Sequence, residues 1–192
     1  MLIFGNSRLS LDNSDLPCLI HGAPGSGASF FSINVIAESF YLQGLKILFF
    51  TAKPAARDEF LKLAGVDDAY IVTDQASTLN SFNKQAVFVN SGDQDSFVRC
   101  VKTLPDIDDR VVFVKNIELY EEKVFSAISD KTSVILSGDI DTAVCKDMLI
   151  QRKYVTKIFF SKPEADIGVV IPDIEKYQGY MEGKRKGIVM LR

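Results

Sequence analysis

Two hydrophobic rhythms alternate along most of the chain. Short, dense apolar runs give way to stretches with helical spacing, and turn residues separate them. Leu16–His21 is the first expected strand, followed by a glycine-rich turn and a helix over Ala28–Gln43. In that helix Phe30, Ile33, Ala37 and Phe40 share one face; Phe31, Val35, Ile36 and Leu42 widen it, which predicts deep burial. Gly44 ends it. Lys46–Thr51 is a strand with Ile-Leu-Phe-Phe at its centre, and Pro54 opens a helix that runs through Leu63 and stops at Gly65. Ala69–Thr73 and Ala86–Asn90 read as strands around a polar loop, Asp74–Gln85. Asp93–Leu104, Glu118–Ile128 and Thr142–Arg152 have helical spacing, and the strands Arg110–Val114 and Thr132–Ser137 fall between them. Beyond residue 152 the rhythm changes. Val155–Phe160, Ile167–Ile171 and Gly187–Leu191 read as strands with no helix between them, and Glu182-Gly183-Lys184 marks the turn of a closing hairpin.

Alternating strands and helices imply an α/β fold, a mainly parallel sheet with helices on both faces. The tail implies an antiparallel C-terminal hairpin on one edge. At 192 residues, a single domain spanning 1–192 is expected. No run approaches the ~18 apolar residues of a membrane span. The N-terminus lacks the basic and apolar regions of a secretion signal. Cys18, Cys100 and Cys145 form no CxxC pair, so buried thiols in a reducing cytoplasmic setting are expected. The single histidine, His21, excludes a multi-histidine metal site. The net charge of −3 is mild but uneven. Residues 151–192 hold nine Lys/Arg against five Asp/Glu, or +4, and leave 13 − 20 = −7 for the rest. A basic tail fits an ordinary solvated face, or contact with nucleic acid or an acidic partner.

The strongest local signal is Gly22-Ala23-Pro24-Gly25-Ser26-Gly27-Ala28-Ser29, between the first strand and the first helix. It follows the phosphate-loop pattern G-x-x-x-x-G-K-[ST] with Ala28 in the lysine position. Such loops aim backbone N–H groups at phosphate oxygens, and glycine lets the backbone come close. Gly22, Pro24, Gly25, Ser26, Gly27, Ala28 and Ser29 are the candidate nucleotide-binding residues.

This layout resembles the RecA-like branch of P-loop NTPases over nearly the whole chain. Two groups are nearest: the circadian-clock ATPase and RecA-paralogue group, and the DNA-pump and conjugative coupling-protein group. The resemblance implies a RecA-like three-layer sandwich, ATP or ADP as ligand, and Ser29 as the hydroxyl that holds Mg²⁺ where the metal binds. The family's second motif is an apolar strand ending in aspartate. Val111-Val112-Phe113-Val114 matches the strand, but Lys115 stands at the aspartate position. In the clock-and-paralogue group a glutamate follows the second strand, where this chain has Thr51-Ala52-Lys53. With lysine, aspartate and glutamate all missing, Mg²⁺ is disfavoured and ordinary hydrolysis is not expected.

Lys53 and Lys115 both end strands at the edge where open α/β sheets bind ligands, so two ammonium groups are candidate phosphate contacts that replace metal and loop lysine. Their alternative is exposure or pairing with Asp139, Asp141 or Glu118. Ser137 matches a γ-phosphate sensor, with Asp139 beside it; Asp139 and Asp141 fit an acid/base pair or, for Asp141, the N-cap of the next helix. Lys184, Arg185 and Lys186 on the hairpin turn are candidate DNA contacts, and Arg152 or Arg185 a candidate finger arginine. The leading expectation is a catalytically degenerate subunit that binds nucleotide or phosphate, or acts as a scaffold, beside protein partners or copies of itself in a ring or filament. The alternatives are a working ATPase, with the loop lysine engineered away or replaced by Lys53, and a DNA-binding accessory protein.

Overall fold

The computed structural model describes residues 2–4, 7–66, 69–72, 83–89 and 93–191; for residues 2–4, 7–8 and 191 the backbone alone is described. Its elements in chain order are β1 (Leu2–Phe4), β2 (Ser7–Arg8), β3 (Cys18–His21), α1 (Ala28–Asn34), β4 (Lys46–Thr51), α2 (Pro54–Ala64), β5 (Ala69–Val72), β6 (Ala86–Val89), α3 (Gln94–Thr103), β7 (Arg110–Lys115), α4 (Glu122–Ala127), β8 (Val134–Gly138), α5 (Lys146–Gln151), β9 (Thr156–Phe159), β10 (Gln178–Glu182) and β11 (Gly187–Leu191). They form one 11-stranded sheet in the order β2-β1-β11-β10-β9-β3-β8-β7-β4-β6-β5. From β9 to β5 every pairing is parallel, and from β9 to β2 every pairing is antiparallel.

Alternation along the central strands explains why they read as continuous apolar runs. In β4, Ile47 and Phe49 face one core with Phe31, Ile33 and Phe40 of the first helical segment. Leu48 and Phe50 face the other, with Phe97 of α3 and Val124 of α4. Both faces are covered, so the interior positions of β4, from Ile47 to Phe50, are all apolar and buried. Phe50 stacks between Phe97 and Tyr120 at ring separations of 4.5 Å each.

The mixed α/β architecture with an antiparallel C-terminal hairpin agrees with the sequence. Several boundaries do not. The helix expected over Ala28–Gln43 is continuous but changes winding, with π-type turns at Val35–Phe40 and a 3₁₀ turn at Tyr41–Gln43. Phe30 and Leu42, expected on its buried side, are exposed. No strand forms over 167–171; Ile167 and Ile171 are buried singly, and the hairpin partner of β11 is β10. Glu118–Ile128 splits into a 3₁₀ turn at Ile117–Leu119 and α4, while Thr142–Arg152 shortens to α5. The N-terminal pair β1–β2 extends the antiparallel edge and carried no clear periodicity. Most of the expected loop over 74–85, along with Thr73 and Asn90, lies outside the described residues.

Candidate functional site: a glycine-rich loop with a buried lysine

The Gly loop leaves the C-terminal end of β3, which lies between β8 and β9 at the centre of the sheet. Gly25 (φ 82°) and Gly27 (φ 95°) take left-handed backbone that side chains resist, and Gly27 is the N-cap of α1. Gly22 is held by packing instead. A Cβ there would lie 2.5 Å from Ala28 Cβ and would also meet Ser26 Oγ. The loop walls a cavity of about 320 Å³, together with Lys53, Asn116, Glu118, Gly138, Asp139 and Tyr177. Six predicted loop residues thus share it with Lys53 and Asp139: Gly22, Pro24, Gly25, Gly27, Ala28 and Ser29 line one wall, whereas Ser26 turns inward to accept the Ala28 N–H at 3.4 Å.

Lys115, the last residue of β7, is 2% exposed and donates from Nζ to Ser29 Oγ at 2.9 Å. Burial, and secondarily the nearby Lys53 charge, lower its pKa to about 8, against an opposing pull from Glu118. Lys53 is exposed on the cavity wall, and among the described residues its ammonium has no hydrogen-bond or ion-pair partner. The two lysines are held in relation by Tyr120. Its hydroxyl accepts the Ala52 N–H and donates to the Lys115 carbonyl, both at 2.7 Å, tying the ends of β4 and β7. The expectation that Lys115 is exposed or paired with a carboxylate does not hold: its partner is the loop serine.

Ser137 is fully buried beside Lys115 in the β7–β8 register, and among the described residues its Oγ has no hydrogen-bond partner. Glu118, which the sequence suggested only as a lysine partner, is a cavity wall. Its carboxylate accepts the Asp139 N–H and the Asn116 Nδ2–H, each at 3.2 Å. Asn116 adopts φ 66°, and its Oδ1 accepts the Thr51 hydroxyl at 3.2 Å. Gly138 (φ 154°) lets Glu118 pack close, since a Cβ there would meet Glu118 Oε2 and lie 2.8 Å from the Ile117 nitrogen. Tyr177 (φ 65°) presents a half-exposed ring to the same cavity. Nothing in the sequence pattern marked it, because it comes from an irregular stretch far along the chain.

Asp141 is not the expected N-cap. It accepts the Glu164 and Ala165 N–H groups at 3.0–3.2 Å and braces a distant loop. His21, Asp139 and Asp141 approach one another within 4.8 Å, but the imidazole is committed. Nδ1 accepts the Ile140 N–H at 3.1 Å, so Nε2 carries the proton towards Ser161 Oγ at 3.2 Å, which also accepts the Ala23 N–H at 2.9 Å. Burial holds the His21 pKa below its usual value, against the pull of the two aspartates. The trio is a structural brace under the Gly loop.

The basic hairpin is largely tied down. Arg185 donates to Ser10 O at 2.8 Å and Asp15 Oδ2 at 3.2 Å, and Lys186 pairs with Glu182 at 2.9 Å. Arg152 donates to the Ile128 and Lys131 carbonyls. Neither arginine stands at the Gly loop cavity.

This fold has counterparts among solved structures. The genome packaging NTPase B204 from Sulfolobus turreted icosahedral virus 2, in complex with AMPPCP, superposes with a TM-score of 0.65 at 14% identity, over 92% of this chain and 97% of that one. The fold is that of a P-loop NTPase. The same NTPase with ATP-gammaS gives a TM-score of 0.65 at 13% identity, over 92% and 98% of the chains, and with AMP 0.62 at 13%, over 90% and 94%. No protein-family model matches the sequence, and no curated protein matches it. Among the described residues no helix is long and apolar enough to cross a membrane.

Proposed function

We propose that this chain is a catalytically degenerate RecA-like P-loop domain that binds ATP or ADP, or their phosphates, as a subunit of a larger assembly. The observation that carries the reading is the Lys115–Ser29 hydrogen bond. It places an ammonium on the hydroxyl that an active relative needs for metal, in a loop already lacking its lysine. Phosphate oxygens retain the loop N–H groups and Lys53; the groups that polarise a leaving phosphate are gone. The solved counterparts carry ATP analogues and AMP, which supports nucleotide as the ligand class. The name of that counterpart, a genome packaging NTPase, supports a setting in nucleic-acid handling. The paired state of Arg185 and Lys186 favours protein partners over direct DNA contact through the hairpin.

The test is a nucleotide titration by calorimetry alongside a phosphate-release assay. Saturable binding of ATP or ADP with no release above buffer is the expected result. Turnover would instead favour a working ATPase. One observation supports that second reading: Glu118 sits on the cavity wall as a carboxylate able to orient water. Glu118→Gln would then abolish release while leaving nucleotide binding intact.

A further inference from the structure

The donor set around Ser29 does not suit Mg²⁺. That ion demands near-octahedral oxygen ligation. Here Ser29 Oγ is already engaged by a cation, Lys115 Nζ at 2.9 Å. The two carboxylates on the cavity wall already accept protein N–H groups. Both Glu118 oxygens accept protein N–H groups, and Asp139 Oδ1 accepts the Asp141 N–H at 3.1 Å. Yet the pocket is built for a polyanion. Lys53 lines it with no partner among the described residues; behind that lining Lys115 is buried with its ammonium on Ser29 Oγ, and the adjacent Ser137 hydroxyl is fully buried with no partner among the described residues. A buried hydroxyl without a partner costs stability unless something outside the protein meets it.

Resting on the nucleotide-binding reading above, we propose that this site takes its polyphosphate as the metal-free anion, with the Lys115 ammonium held where a divalent cation would sit, and that Mg²⁺ opposes binding. The buried Lys115 ammonium and the exposed Lys53 ammonium balance part of the phosphate charge, and a metal-bound phosphate brings a further cation against Lys115.

The experiment is calorimetric titration of the full chain with ATP and with inorganic pyrophosphate, in excess EDTA and in excess Mg²⁺. Tighter binding in EDTA, by about tenfold as judged from the charge repulsion, is expected. Lys115→Met should lose this metal-free affinity, and Lys115→Asp should bind only with Mg²⁺, with circular dichroism confirming that each variant folds. Wild-type binding that requires Mg²⁺ would overturn the inference and leave nucleotide binding standing. Metal-free affinity unchanged in Lys115→Met would overturn it too. Absence of binding in both conditions would overturn this inference and the nucleotide-binding reading together.

Discussion

Replacing Lys115 with methionine should make the protein more stable, because the native lysine is costly. Its pKa falls from 10.5 to about 8 on folding, chiefly through burial. At 1.36 kcal/mol per pH unit, holding the charged form in the folded state near pH 7 costs about 3 kcal/mol. The sign follows from proton binding. Between about pH 8 and 10.5 the unfolded chain holds more protons than the folded one, so wild-type stability rises with pH across that window. Methionine has a similar length and no charge, and Ser29 is exposed enough to return its hydroxyl to water. Urea denaturation of both proteins near pH 7 should therefore favour Lys115→Met by about 3 kcal/mol, and by only about 1 kcal/mol near pH 9.5. A variant no more stable than wild type near pH 7 would refute the reasoning. So would a stability gap that ignores pH.

Three further outcomes are expected. Gly138→Ala should destabilise the fold by about 1–3 kcal/mol in urea, since its Cβ meets the Glu118 carboxylate and its φ of 154° disfavours a side chain. Tyr177→Ala should weaken ATP binding by about 1–3 kcal/mol through lost base stacking while leaving pyrophosphate binding unchanged, as read by calorimetry. Finally, His21 holds its pKa below the usual value in the fold, so the unfolded chain binds the extra proton first; stability should fall as pH drops through about 6.5, and a His21→Gln variant should lack that slope in pH-dependent melts.

The sheet and its flanking helices were legible because their residues obey simple periods: Ile47 to Phe50 alternate between two cores, and Phe31, Ile33 and Phe40 line one side of a helix. The Gly loop was legible because its spacing is a backbone requirement. What the pattern missed depends on long-range geometry. Asp141 looked like a helix cap, but the Glu164 and Ala165 N–H groups outcompete the helix start for its oxygens. Glu118 read as the start of a helix and a partner for the lysines; the left-handed turn at Asn116 sets it on the cavity wall, where it accepts the Asp139 N–H instead. Tyr177 reaches the site from an irregular segment with no period at all. Lys115 was visible as an anomaly, but its hydrogen bond to a residue 86 positions earlier was not.

A cation attached to the chain differs from one drawn out of solution. A bound metal ion leaves when a chelator or a competing ligand lowers its supply, and its occupancy follows the concentration outside. The Lys115 ammonium has no such supply. Its local concentration is set by a covalent stem and by the Tyr120 hydroxyl that anchors the backbone beneath it. The site therefore reads proton activity where a metal site reads metal activity, and its charge is retained in any medium below about pH 8.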